Sequence, residues 1–174
     1  MEELKYPIGK LKLPEEYNKA FREEAIKTFE EVPAMLRETL KGIDAKQLQA
    51  RYRPDAWTIR QVVHHLADSH MNCLMRFKLG LTEDMPTIKP YLENSWAALP
   101  DANNDEIEDS IIIVEGVHRR LVKLLKTLKE EDWERKIFHP ESKREMSLNF
   151  LLALYAWHGK HHLAHIKNAL SNPY

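Results

Sequence analysis

The sequence predicts an all-α domain, a four-helix bundle, and three observations carry that expectation. Four long segments repeat apolar residues at helical spacing, proline-containing and polar stretches separate them, and the alternation of a half-buried strand is nearly absent. With 174 residues, 43% hydrophobic and 30% charged, residues 1–174 fit one globular domain with room for a substantial core. An up-and-down-type four-helix bundle with long crossover loops is the economical architecture for this pattern.

The first segment, about 15–41, places Phe29, Val32, Leu36 and Leu40 on one helix face, with Gly42 as its stop. Pro33 is expected to kink or split it. The second begins at Thr58-Ile59-Arg60-Gln61, a capping box in which the Thr hydroxyl and the Gln amide each satisfy a free backbone N–H, and runs to about Gly80. The third, about 105–129, aligns Ile107, Ile111, Val114, Val117, Leu121, Leu124 and Leu128, with Gly116 as a minor weakness. The fourth begins near Ser147 and continues through Leu151, Leu154, Tyr155, His158, His162 and His165 towards Leu170. Between the second and third, residues 82–104 contain Pro86, Pro90 and Pro100, which suppress regular structure over a length that usually signals function. A shorter connection, 138–146, holds His139-Pro140-Glu141 just ahead of the fourth helix.

Charge excludes some partners. Lys plus Arg total 26 against 27 Asp plus Glu, a net charge of -1, so no basic excess attracts nucleic acid or an anionic membrane. The five glycines never cluster into a phosphate-cradling loop. Residues 1–13 lack the apolar core of a signal peptide, and the longest apolar run, Phe150–Trp157, is far short of the roughly 18 residues of a membrane span, so a cytoplasmic protein is expected. The single cysteine, Cys73, rules out an intrachain disulfide and a thiolate zinc framework. Nine histidines beside it are the feature that calls for an explanation.

On the fourth helix His158, His162 and His165 fall within about 60° of one another, with His161 adjacent. They interrupt a face that Leu151, Tyr155, Ile166 and Ala169 mark for burial, and burying imidazoles without partners is costly. A divalent cation resolves that conflict, because neutral imidazole is a good ligand and an i, i+4 pair directs two nitrogens at one point. A third ligand must come from elsewhere. The second helix offers His64, His65 and His70, and its apolar arc of Ile59, Val62, Leu66, Cys73 and Phe77 centres nearer His70, with His65 about 110° away on the rim. A hydrogen-bonded core histidine is the alternative for His70, and a surface patch the alternative for the His158/His162 pair. His118 adjoins a Lys/Arg-rich stretch and is expected to be solvated. Gly159 stands where an HExxH metalloprotease carries its general base, which argues against that chemistry.

Two longer motifs, Asp55-Ala56-Trp57-Thr58 leading into His64-His65-Leu66-Ala67-Asp68-Ser69-His70, and Ala156-Trp157-His158-Gly159-Lys160-His161-His162-Leu163-Ala164-His165-Ile166, resemble the DinB/YfiT-like superfamily and, within it, the YfiT branch. Tyr6-Pro7-Ile8-Gly9, Arg76-Phe77-Lys78-Leu79, Ile88-Lys89-Pro90-Tyr91 and Phe138-His139-Pro140-Glu141 extend the likeness over nearly the whole chain. The resemblance implies a DinB/YfiT-like bundle in which His65, His158 and His162 bind one divalent metal ion per chain, zinc or nickel, in a homodimer. It thereby selects His65 over the His70 that periodicity favours, and leaves His161 and His165 to support the ligands or wall the pocket.

Three neutral histidines leave coordination positions open, as in a catalytic site. The resemblance implies either of two chemistries, since members are described as metal-dependent hydrolases while some relatives transfer low-molecular-weight thiols such as bacillithiol or mycothiol. The leading expectation is activation of a bacillithiol-like thiol for attack on an electrophile, with no protein cysteine required and Cys73 in the core. The alternatives are hydrolysis by metal-bound hydroxide and a non-catalytic metal-binding stress-response module. Asp68, one turn from His65, is placed to orient it, to bind a substrate cation, or simply to be solvated. Tyr91 and Trp96 are placed to line the pocket mouth or to pack, and Glu141 to accept a proton or to form a loop salt bridge.

Overall fold

Helix starts in this chain are set by side chains that take up orphan N–H groups. In the computed structural model, which describes residues 2–104 and 106–174, four long helices follow such caps or loop entries: α1 (Lys19–Thr39), α2 (Ile59–Thr82), α3 (Glu108–Leu125) and α4 (Leu148–Ser171). Asn18 accepts from the Phe21 N–H at 2.9 Å, and Ser147 accepts from the Phe150 N–H at 3.1 Å. The capping box forms as expected, with the Gln61 N–H donating to Thr58 Oγ1 at 3.2 Å and the Thr58 N–H to Gln61 Oε1 at 3.0 Å.

Several expectations are corrected. Pro33 lies inside α1 without splitting it. Having no N–H, Pro33 cannot bond the carbonyl of Phe29 one turn back, and that carbonyl instead accepts from His118 Nδ1 at 2.8 Å. The expected start of α3 at Asp105 lies outside the described residues, and the helix begins at Glu108. Its buried face is Ile107, Ile111, Val114, His118, Leu121 and Leu125, rotated from the Val117–Leu124–Leu128 edge of the expected stripe. The proline-containing connection is not without structure, because it holds two short helices, Glu93–Ala97 and Pro100–Asn104. Gln61 Nε2 ties it to the start of α2 by donating to the Ala97 carbonyl at 2.8 Å. Residues 138–146 belong to an antiparallel hairpin, β1 (Lys136–His139) with β2 (Arg144–Ser147), where Lys136 pairs Ser147 and His139 pairs Arg144.

The order of helices around the bundle is not that of an up-and-down array. α1 packs on α3 and α4, and α2 packs on the same two, so the consecutive pairs α1/α2 and α3/α4 stand diagonally across the bundle. Two apolar cores result. One contains Phe29, Phe77, Leu121, Leu125 and Leu151, and the other Leu36, Ile59, Leu66, Val114 and Ile166. His70, His118 and the histidines of α4 lie along the helices between them.

Close packing singles out Gly80. A Cβ there would lie 2.9 Å from Leu148 Cδ2 and 3.3 Å from Ile137 Cγ2, both of fully buried side chains, whereas a Cβ on Gly116 would meet nothing within 4 Å. Gly80→Ala should therefore lower stability by about 1–3 kcal/mol through overpacking. Gly116→Ala should raise it by up to about 1 kcal/mol by removing a helix-interior glycine. Thermal melts of both variants check this, and opposite signs are expected.

Candidate metal centre

Three imidazoles meet where α2 and α4 touch. His65 comes from α2, and His158 and His162 are successive turns of α4. One nitrogen from each lies within 4.8 Å of the others, and His65 Nε2 stands 3.2 Å from His158 Nε2. Two metal–nitrogen bonds of about 2.0–2.1 Å meeting at a tetrahedral angle span about 3.3 Å, so this pair is already at ligand spacing. Their rings are tilted or edge-on, with centroids 4.5–5.2 Å apart, so the nitrogens converge rather than the faces stacking.

Burial keeps these groups neutral, the state a ligand needs. The His65 imidazole is pushed down to about 4 by loss of solvent. His158 and His162 are driven well below their ordinary value, by burial first and by the neighbouring imidazoles second. No carboxylate pairs with any of the three among the described residues. The donor set therefore fits a divalent ion held by neutral nitrogen.

The three face a pocket of about 390 Å³. Trp57 packs on His65 at a centroid distance of 4.7 Å, and Arg53, Glu93, Trp157, Tyr6 and Lys5 complete much of the wall. A larger cavity of about 680 Å³ lies between α1 and α3; it touches His118 and none of the three converging histidines. The converging nitrogens open on the smaller of the two. Glu93, whose carboxyl is raised by burial, and Asn94 are what the long connection contributes. Tyr91 and Trp96 instead pack on each other, centroids 4.4 Å apart, and neither lines this pocket. Glu141 also stays outside it.

The remaining histidines are sorted by their partners. His70, 1% exposed, sits at the centre of the α2 face as periodicity requires, but one ring behind His158, with its Nε2 3.3 Å from His158 Nδ1. His118 is not solvated: it is 2% exposed and bonded to Phe29 and His70. Its place among Ile111, Val114, Leu121 and Leu125 was the available signal, outweighed by the adjacent Arg119 and Arg120. His161 stacks on Trp157 at 4.3 Å, and His165 stacks on Tyr52 at 3.8 Å. His64 bonds Ser110 Oγ at 2.8 Å, and His139 Nδ1 accepts from the Ser142 N–H in the hairpin at 3.3 Å. Asp68 makes no hydrogen bond to His65; its carboxyl is raised to about 6 by burial and by the charge of Asp101. Lys5, Tyr52 and Arg53 line the pocket as well, and no sequence signal pointed to them.

The class is that of a helical-bundle protein with a three-histidine centre opening on a pocket. The chain belongs to the DinB superfamily, whose family model matches residues 28–166. It is 44% identical over 163 residues to YfiT of Bacillus subtilis (strain 168), provisionally named a metal-dependent hydrolase, covering 94% of this chain and 92% of that protein. A Bacillus cereus (strain ATCC 10987 / NRS 248) protein with the same provisional name is 47% identical over 170 residues, covering 95% of each. The solved structure of Bacillus subtilis YfiT, described as having an unusual four-helix bundle topology, superimposes with a TM-score of 0.92 at 43% identity over 95% of this chain and 94% of that one. A mycothiol-dependent maleylpyruvate isomerase shares the fold at 15% identity, with a TM-score of 0.66 over 83% of this chain and 60% of that one.

Acid should unfold the metal-free protein early. An unfolded histidine titrates near 6.5, while His118 in the fold titrates near 4 because burial disfavours its charge. Stability from keeping such a ring neutral is complete above pH 6.5 and is lost as the pH falls towards 4, by up to about 1.4 kcal/mol per pH unit for each group. Melting temperatures measured in chelator should be flat from pH 8 to 7 and drop steeply below 6.5.

Proposed function

We propose that the protein is a divalent-metal-dependent enzyme that activates a small nucleophile, in the leading reading a bacillithiol-like thiol, which loses its S–H proton and bonds through sulfur to an electrophile. The observation that carries this reading is the convergence of His65, His158 and His162 on a pocket far larger than a water molecule. Zinc or nickel suits three imidazoles, one ion per chain. When bound, a divalent ion lowers the pKa of a coordinated S–H or O–H so that the anion is available near neutral pH.

The chain's own groups supply the rest. Three neutral ligands leave the ion's positive charge uncompensated, which favours an anionic nucleophile. The Trp57 ring against His65 keeps that side of the ligand dry. Arg53 and Lys5 stand in the pocket wall with Asp55 and Glu93, so groups of both signs are at hand to meet charged parts of a substrate. Cys73 is fully buried, with its thiol pushed well up, so a reactive sulfur has to enter with a substrate. The mycothiol dependence of the isomerase that shares the fold accords with this, although its 15% identity speaks for the fold alone. A second reading is hydrolysis with water as nucleophile. It is favoured by the provisional naming of the Bacillus relatives and by Glu93, a pocket carboxylate with a raised pKa suited to accepting a proton.

Metal-loaded protein incubated with a low-molecular-weight thiol and a test electrophile should consume both together. His158→Ala should lose tight metal binding by elemental analysis and lower the rate by more than about 100-fold, beyond the usual effect of changing a group that merely supports a ligand. Turnover of ester or amide substrates without any thiol would overturn the transferase reading in favour of hydrolysis.

A further inference from the structure

Each of the four helices contributes one group to a continuous line that ends at the centre. The Phe29 carbonyl of α1 accepts from His118 Nδ1 of α3 at 2.8 Å. His118 Nε2 lies 2.9 Å from His70 Nδ1 of α2, and His70 Nε2 lies 3.3 Å from His158 Nδ1 of α4. A carbonyl oxygen only accepts, and a neutral imidazole has one N–H and one lone pair. The proton of His118 is therefore on Nδ1, its Nε2 accepts from His70 Nδ1–H, and His70 Nε2 accepts from His158 Nδ1–H. His158 is left with a bare Nε2, the atom that stands 3.2 Å from His65 Nε2. Any other assignment sets two lone pairs or two N–H groups against each other between buried rings.

A shorter line reaches His162 from the opposite side. The Lys5 carbonyl lies 3.2 Å from His165 Nε2, and His165 Nδ1 lies 3.4 Å from His162 Nδ1. The same logic protonates His165 at Nε2 and His162 at Nδ1, and leaves His162 Nε2 bare. Pro33 relieves the Phe29 carbonyl of its helical partner, so the His118 N–H meets this acceptor without competition from the helix.

We propose that His118 and His70 are positioning residues that transmit the hydrogen-bonding demand of the Phe29 carbonyl to His158, locking it as the Nδ1–H tautomer with Nε2 aimed at the metal, and that His165 does the same for His162 from the Lys5 carbonyl. This rests on reading the three convergent histidines as a metal site. Backbone carbonyls here take the place of the carboxylates that commonly orient metal-bound histidines. The arrangement brings no negative charge with it, so the ion's charge stays undiminished.

Two measurements test this. In metal-free protein carrying ¹⁵N-labelled histidine at pH 7.5, long-range ¹H–¹⁵N spectra should give Nδ1–H for His118, His70, His158 and His162, and Nε2–H for His165. Zinc affinity, measured by competition with a chelating dye, should fall about 10–100-fold in His118→Leu. His118→Gln should recover most of it, because its amide N–H can donate to the Phe29 carbonyl while its oxygen accepts from His70. An Nε2–H tautomer at His158 in the wild type overturns the proposal whether or not the variants fold. So does wild-type zinc affinity in His118→Leu. A wild type that binds no divalent metal overturns the metal site itself, and the proposal's aim at a metal with it, even where the tautomers come out as assigned.

Discussion

Everything in this bundle is arranged around a belt of imidazoles, buried at His70 and His118 and opening on a pocket at His65, His158 and His162. The belt crosses the domain between two apolar cores, at the level of Val32 and Pro33 on α1, His70 on α2, His118 on α3 and His158 and His162 on α4. A buried polar group with no partner costs about 1–3 kcal/mol. The chain avoids that cost by joining ring to ring and ending each line on a backbone carbonyl. Burial keeps the rings neutral, and no anion in these lines opposes it; neutrality makes them both tolerable in a core and competent as ligands.

Helix order follows from the same requirement. Placing α1 diagonal to α2 and α3 diagonal to α4 makes neighbours of α2 and α4, the two helices that carry the convergent nitrogens. Gly159 then takes on a second meaning. Its missing carboxylate sets the chain apart from HExxH proteases, while its missing side chain lets α4 approach closely: a Cβ there would lie 3.3 Å from Val32 Cγ1 and 3.7 Å from His70 Cε1. The position is shaped by packing against α1 and against the ring behind His158.

Much of this was legible in the sequence, and the failures have physical causes. Caps at Thr58 and Ser147 and the apolar periods located four helices, because those signals are local. Periodicity correctly buried His70, yet burial does not say which ring of α2 converges with those of α4, and the family resemblance was needed to point to His65. His118 was misjudged because two following arginines outweighed its spacing from Val114 and Leu121. Pro33 does not split its helix, and the carbonyl it frees is taken by a donor distant in sequence, which no local signal can show. The hairpin escaped notice because each strand has only four residues, too few for alternation to register. Lys5 is far from both motifs in sequence and reaches the pocket only through tertiary packing, while Arg53, two residues ahead of Asp55, carries no spacing or periodicity that marks it for the pocket wall.

Two of the three convergent nitrogens lie on α4, the last helix of the bundle, while His65 precedes them by some ninety positions. A chain emerging from the ribosome displays His65 long before the residues that complete its set. Until α4 joins the bundle, His65 stands without the two rings that converge on it. Order of synthesis thus leaves the convergence of the three rings among the last contacts that the chain can complete.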